Sequence, residues 1–74
     1  LLTKEFNMHR FYISYAMFKS GYAVTSFGSF VYNADQKDLT NIDLHNIEKM
    51  AQDCVIDKFT NATVLSINYI GTTN

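Results

Sequence analysis

The sequence predicts an α+β domain of ββαβ type, a three-stranded antiparallel sheet in the order 2-1-3 with one helix packed on one face. Three observations carry this. Two aromatic and β-branched runs flank a glycine turn, an amphipathic stretch opens on a capping signal, and an alternating apolar run closes the chain.

The first strand is expected from Arg10 to Lys19, RFYISYAMFK, where alternation separates Phe11, Ile13, Tyr15 and Met17 from Tyr12, Ser14, Ala16 and Phe18. Neither set is the polar face of a half-wet strand. Lys19, Ser20, Gly21 and Tyr22 then read as a hairpin turn, because glycine takes positive φ without a Cβ penalty. The second strand is expected from Tyr22 to Asn33, with Ala23, Thr25, Phe27, Ser29 and Val31 on one side. Tyr22, Val24, Ser26, Phe30 and Tyr32 lie on the other. Gly28 interrupts this strand and reads as a bulge or as a close approach by a ligand or another backbone, the bulge being the commoner cause.

Thr40 is placed to accept from the backbone of Asp43, whose carboxylate suits the positive end of the helix dipole, while Leu39 and Leu44 hold the staple positions. A helix of about 18 residues, roughly 27 Å, should follow, with Leu44, Ile47, Ala51, Cys54 and Val55 as its apolar stripe. It is expected to end near Phe59, with Asn61 as the left-handed residue after it. The third strand is expected from Thr63 to Ile70, with Leu65, Ile67 and Tyr69 on one side and Val64, Ser66, Asn68 and Ile70 on the other. Gly71 and the polar residues after it should end the domain.

A right-handed crossover through the helix returns the third strand beside the first, hence the 2-1-3 order. Residues 9–72 form one domain, and residues 1–8 are expected to be an extension, since Met8 stands just before the first strand. A chain of 74 residues buries only about 60% of its unfolded surface, so oligomerisation is a natural supplement to its small core.

Composition narrows the chemistry. Cys54 is the only cysteine, which excludes an intrachain disulfide and suits a reducing, cytoplasmic setting. A net charge of -1 with scattered Lys and Arg gives no footprint for nucleic acid or anionic lipid, and no apolar run is long enough to cross a bilayer. His9, His45 and Cys54 share no spacing motif, so no metal site is expected, and Cys54 reads as a small hydrophobe on the helix stripe. Asp35, Asp38 and Asp43 lack the pattern of a calcium loop, and Gly21, Gly28 and Gly71 are too scattered for a phosphate cradle. No catalytic residue and no cofactor are expected.

The stretch FYISY, followed by FGSFVYN and by the helix LTNIDLHNIEKMA, resembles a group of small accessory proteins encoded by bacteria and their phages. The likeness lies in strand and helix patterns from His9 onward. It implies an accessory protein that binds a host or phage protein, and it assigns no functional residue.

One helix covers one face of three strands, yet the hairpin is apolar on both faces. The expectation is a non-enzymatic protein-binding module, a homodimer joined through the sheet face opposite the helix, with a second protein as a further partner. Tyr12, Ser14, Ala16, Phe18, Tyr22, Val24, Phe30 and Tyr32 are the expected interface. The competing reading is a small-ligand or single-stranded nucleic-acid binder that stacks on Tyr12, Phe18, Tyr22 and Phe30. Only Arg10 and Lys19 flank those rings, which counts against the nucleic-acid form.

Overall fold

The structure, a computed structural model, describes residues 8–21, 23–56 and 58–73. Strand β1 (His9–Phe18) and strand β2 (Ser26–Ala34) precede helix α1 (Asn41–Asp53), and strand β3 (Asn61–Thr72) follows it. The sheet order is β2-β1-β3, and β1 is antiparallel to both neighbours. The α+β ββαβ fold is therefore the one the pattern of apolar residues predicts.

The hairpin is longer than the sequence suggests. Gly21 does adopt a positive φ of +79°, but β2 starts at Ser26 and not at Tyr22, so a connector of seven residues, 19–25, separates the two strands. Register then runs without a break from Met17 opposite Ser26 to His9 opposite Ala34. Gly28 is consequently no bulge. A Cβ at this position would overlap Oη and Cζ of Tyr15, the residue directly across the ladder, and would lie 2.9 Å from Cε1. The missing side chain is filled by the tyrosine ring, which also packs against Phe30 with centroids 5.8 Å apart.

Helix α1 opens as expected. Thr40 is the N-cap, its Oγ1 accepts from the Asp43 N–H at 3.1 Å, and the Asp43 carboxylate accepts from the Thr40 N–H at 2.9 Å. The far end differs, since the helix stops at Asp53 with Cys54 as C-cap, several residues before Phe59. Thirteen residues span about 20 Å, shorter than the strands beneath. The turn delivers Phe59, which is buried, under the sheet, and Thr60 N–H donates to the Phe18 carbonyl at 3.0 Å. Asn61 is therefore the first residue of β3 and not a left-handed cap, and no described non-glycine residue has positive φ.

β3 is twelve residues long and carries two register shifts against β1, one between Ser14 and Tyr15 and one between Arg10 and Phe11. Each inserts a residue and reverses the alternation that the sequence pattern implied. Val64, Ile67 and Tyr69 now oppose Tyr15, Ile13 and Phe11, whereas Leu65 and Ile70 have no opposed residue. Gly71, expected to end the domain, lies inside β3 with a φ of +108° at the second shift.

The core sits between helix and sheet in two clusters. Phe11, Ile13, Ala34 and Ile47 form one, with Phe30, Tyr32, Leu39, Val64 and Ile67 against it. Tyr15, Met17, Ala51 and Phe59 form the other, bordered by Cys54, Val55 and Ala62. Leu44, expected on the buried stripe, keeps 39% of its surface open to solvent and joins neither core cluster.

Candidate functional site

The sheet face opposite α1 is the feature on which a function can be built. In an antiparallel ladder directly opposed residues share a face. Every opposed pair of β1 and β2 joins an even-numbered residue to an odd-numbered one, as in Tyr12 with Val31, Ser14 with Ser29 and Ala16 with Phe27. This corrects the expected interface. Phe30 opposes Ile13 and Tyr32 opposes Phe11, so both face the helix and are half-buried in the core. Val24 lies in the connector before β2, and Tyr22 falls outside the described residues.

Tyr12, Ser14, Ala16 and Phe18 do share the face turned from the helix, although Ala16 is itself buried, and Phe27, Ser29 and Val31 join them across β2. From β3 come Asn68 opposite Tyr12, Ser66 opposite Ser14 and Thr63 opposite Ala16. The face has a small polar centre and apolar margins. Ser14 and Ser66 share a hydrogen bond between their hydroxyls, and Tyr12 Oη donates to Ser29 Oγ at 2.9 Å. Around this strip Phe27 is 69% exposed and Leu65 55%, with Tyr12, Val31, Ile70 and Phe18 also open to solvent. Internal pairing satisfies these hydroxyls, which lowers the cost of removing them from water. Phe27 and Val31 were visible in the sequence as one alternating set but assigned to the other side, while Leu65 and Ile70 became legible only through the bulges.

Among the described titratable groups the fold perturbs Tyr15, Tyr32 and Asp43. Desolvation by burial raises the Tyr15 phenol, and a hydrogen bond with Cys54 raises it further. Asp43 is held below its ordinary value by the Thr40 backbone N–H and then by Tyr32, whose Oη donates to Asp43 Oδ1 at 2.8 Å. Tyr32 is raised by burial above all, and the same carboxylate adds to the rise. The contacts of Tyr32 and Asp43 tie the helix start to β2. At the opposite edge His9 Nδ1 and Tyr69 Oη are 3.0 Å apart, and Lys37 Nζ lies 5.1 Å from the centre of the Tyr69 ring. A groove of about 220 Å³ runs between α1 and β3, lined by Glu48, Gln52, Ala62, Thr63 and Val64.

Among the described residues no cluster of three or more His, Cys, Asp or Glu is arranged to hold a metal, and no helix is long and apolar enough to cross a membrane. His45 is exposed on α1 and Cys54 is half-buried at its end. Comparison with protein-family models, curated proteins and solved structures returns no match for this chain.

Proposed function

We propose that this chain is a small non-enzymatic protein-binding module that self-associates through the sheet face opposite α1. The observation that carries the reading is the set of apolar side chains left open on that face, led by Phe27 and Leu65. Apolar side chains gathered on one face of a small domain mark an interaction surface more often than singly scattered ones do.

The size of the face supports the same reading. Three strands about 4.8 Å apart and about ten residues long at about 3.3 Å per residue outline roughly 470 Å² per copy. Two such faces give about 950 Å² in projection, and side-chain relief carries the total past the roughly 1,000 Å² that a specific interface needs. At about 25 cal/mol per Å², covering about 400 Å² of apolar surface contributes about 10 kcal/mol before association entropy. That is comparable with the whole folding stability of a small domain.

In this reading the paired module acts in the cytoplasm as an accessory protein or inhibitor that occupies the surface of a second protein, in bacteria or their phages. Sedimentation velocity at tens of micromolar should give a dimer. The double substitution Tyr12→Lys and Leu65→Asp should give a folded monomer, because it places two charges on the face and leaves both core clusters intact. A wild-type monomer at that concentration would sink the proposal.

A further inference from the structure

The two edges of the sheet are protected very differently. On β3 two register shifts bend the strand, and the side-chain amide of Gln52 stands in for a neighbouring strand. Its Nε2 donates to the Thr60 carbonyl at 2.9 Å, and its Oε1 accepts from the Ala62 N–H at 3.1 Å. Bulges and covering groups are the devices that keep an edge from pairing with another chain. β2 has none of them. Its nine residues, SFGSFVYNA, include no charge and no proline, and its register against β1 is unbroken. No side chain among the described residues hydrogen-bonds its main chain.

We propose that the outer edge of β2 is a second interface, which takes β2 of a second copy in antiparallel register centred on Ser29. The occupant follows from the composition of the strand. A neutral strand meets its own copy without like charges opposed, and an antiparallel two-fold pairing lets the same residues serve on both sides. Centring on Ser29 sets Phe27 beside the partner's Val31 on the open face, an aromatic and β-branched pair of the kind that stabilises sheets. On the helix face it sets Phe30 beside the partner's Gly28, so two large rings do not compete for one space. A register one residue further on would place Phe27 beside the partner's Asn33 and lose the apolar pair.

The edge alone is small. About seven paired residues at about 3.3 Å along a sheet about 10 Å thick cover roughly 230 Å² per copy, about half of what a stable dimer needs in total. The pairing therefore rests on the face-to-face reading for its stability, although it uses the main-chain groups of the β2 edge where the other uses side chains of the face. It joins two three-stranded sheets into one of six strands, and the two interfaces together carry association beyond the dimer to a tetramer.

Single-cysteine variants of the full chain in a Cys54→Ser background test this. In the proposed register the Cα atoms of the two Ser29 residues stand about 4.5–5.5 Å apart, within the reach of a disulfide. Ser14 lies one strand further in on each copy, so its two copies are about 14 Å apart across the six strands. Under a glutathione redox buffer Ser29→Cys should form a covalent dimer at least about tenfold faster than Ser14→Cys or Thr63→Cys. All three should keep the wild-type circular dichroism. Cross-linking of Ser29→Cys no faster than the other two would overturn the edge pairing. If Ser14→Cys or Thr63→Cys cross-links while Ser29→Cys does not, the edge falls and the face-to-face reading stands. A wild-type monomer with no cross-link at any position removes both.

Discussion

Gly28→Ala tests how the hairpin is packed, because one added methyl group meets a specific ring. The new Cβ would overlap Oη and Cζ of Tyr15 and lie 2.9 Å from Cε1, so the ring must tilt or the strands must part. Tilting is not free. Tyr15 is buried with Met17, Ala51 and Phe59 in the second core cluster and packs against Phe30 on its other side. Over-packing of this kind costs about 1–3 kcal/mol, and the upper half of that range applies to a rigid ring enclosed by the core. A loss of about 2 kcal/mol lowers the melting temperature of a domain this size by roughly 8–16 °C. Urea unfolding followed by circular dichroism would show the same loss as a midpoint about 2 M lower, at a slope near 1 kcal/mol/M. The cause is isolated by a second background. Tyr15→Leu removes the distal ring atoms, so Gly28→Ala should cost less than about 0.5 kcal/mol beyond Tyr15→Leu alone. A Gly28→Ala variant as stable as wild type, or an equal penalty in both backgrounds, would refute the assignment.

Other consequences can be checked on the same material. Ile47→Ala should cost about 2–5 kcal/mol in chemical denaturation, because Ile47 is fully buried, whereas Ile42→Ala on the 72% exposed side should stay within about 0.5 kcal/mol. Gln52→Ala should cost about 0.5–1.5 kcal/mol and remove hydrogen-exchange protection from the Ala62 amide, which loses its acceptor. The lowered Asp43 pKa means that its contribution is complete above the ordinary carboxylate value of 3.8 and is lost as pH falls through the folded value, so Asp43→Asn should flatten the acid limb of a stability profile. At the alkaline end the raised Tyr15 pKa acts in the opposite sense. Its contribution is complete below 10.0 and is lost as pH rises through the folded value, so Tyr15→Phe should resist alkaline unfolding better than wild type.

What the sequence disclosed and what it withheld divide along a physical line. The capping box at Thr40 and Asp43 was legible because both hydrogen bonds are local, three residues apart in the chain. The strand order was legible because one hairpin and one helical crossover leave few arrangements open. The end of α1 was not, since local spacing continues the apolar stripe through Cys54 and Val55. What stops the helix is the need to bring Phe59 under the sheet and Asn61 opposite Phe18, a long-range demand. Gly28 misled for a similar reason, because its explanation is a ring that precedes it by thirteen positions.

The candidate interaction surface shows this division most sharply, because its membership is a matter of parity. Alternation separates each strand into two sets of residues, but it does not say which set of one strand shares a side with which set of the next. That follows from register, and register depends on the connector between β1 and β2 and on the two shifts in β3. Joining even-numbered residues on both strands of the hairpin put Phe30 and Tyr32 on the outside, where the ladder puts Phe27 and Val31. The same arithmetic applied after each bulge returns Ile67 and Tyr69 to the helix and leaves Leu65 and Ile70 outside it. A shift of a single residue would exchange the core for the surface throughout a strand, so the bulges of β3 are part of what makes the open face apolar. Those irregularities also interrupt the β3 edge, which counts against its pairing with another strand. β2 is the edge that carries neither device, and a second copy meeting this chain would find face and edge on the same two residues, Phe27 and Val31.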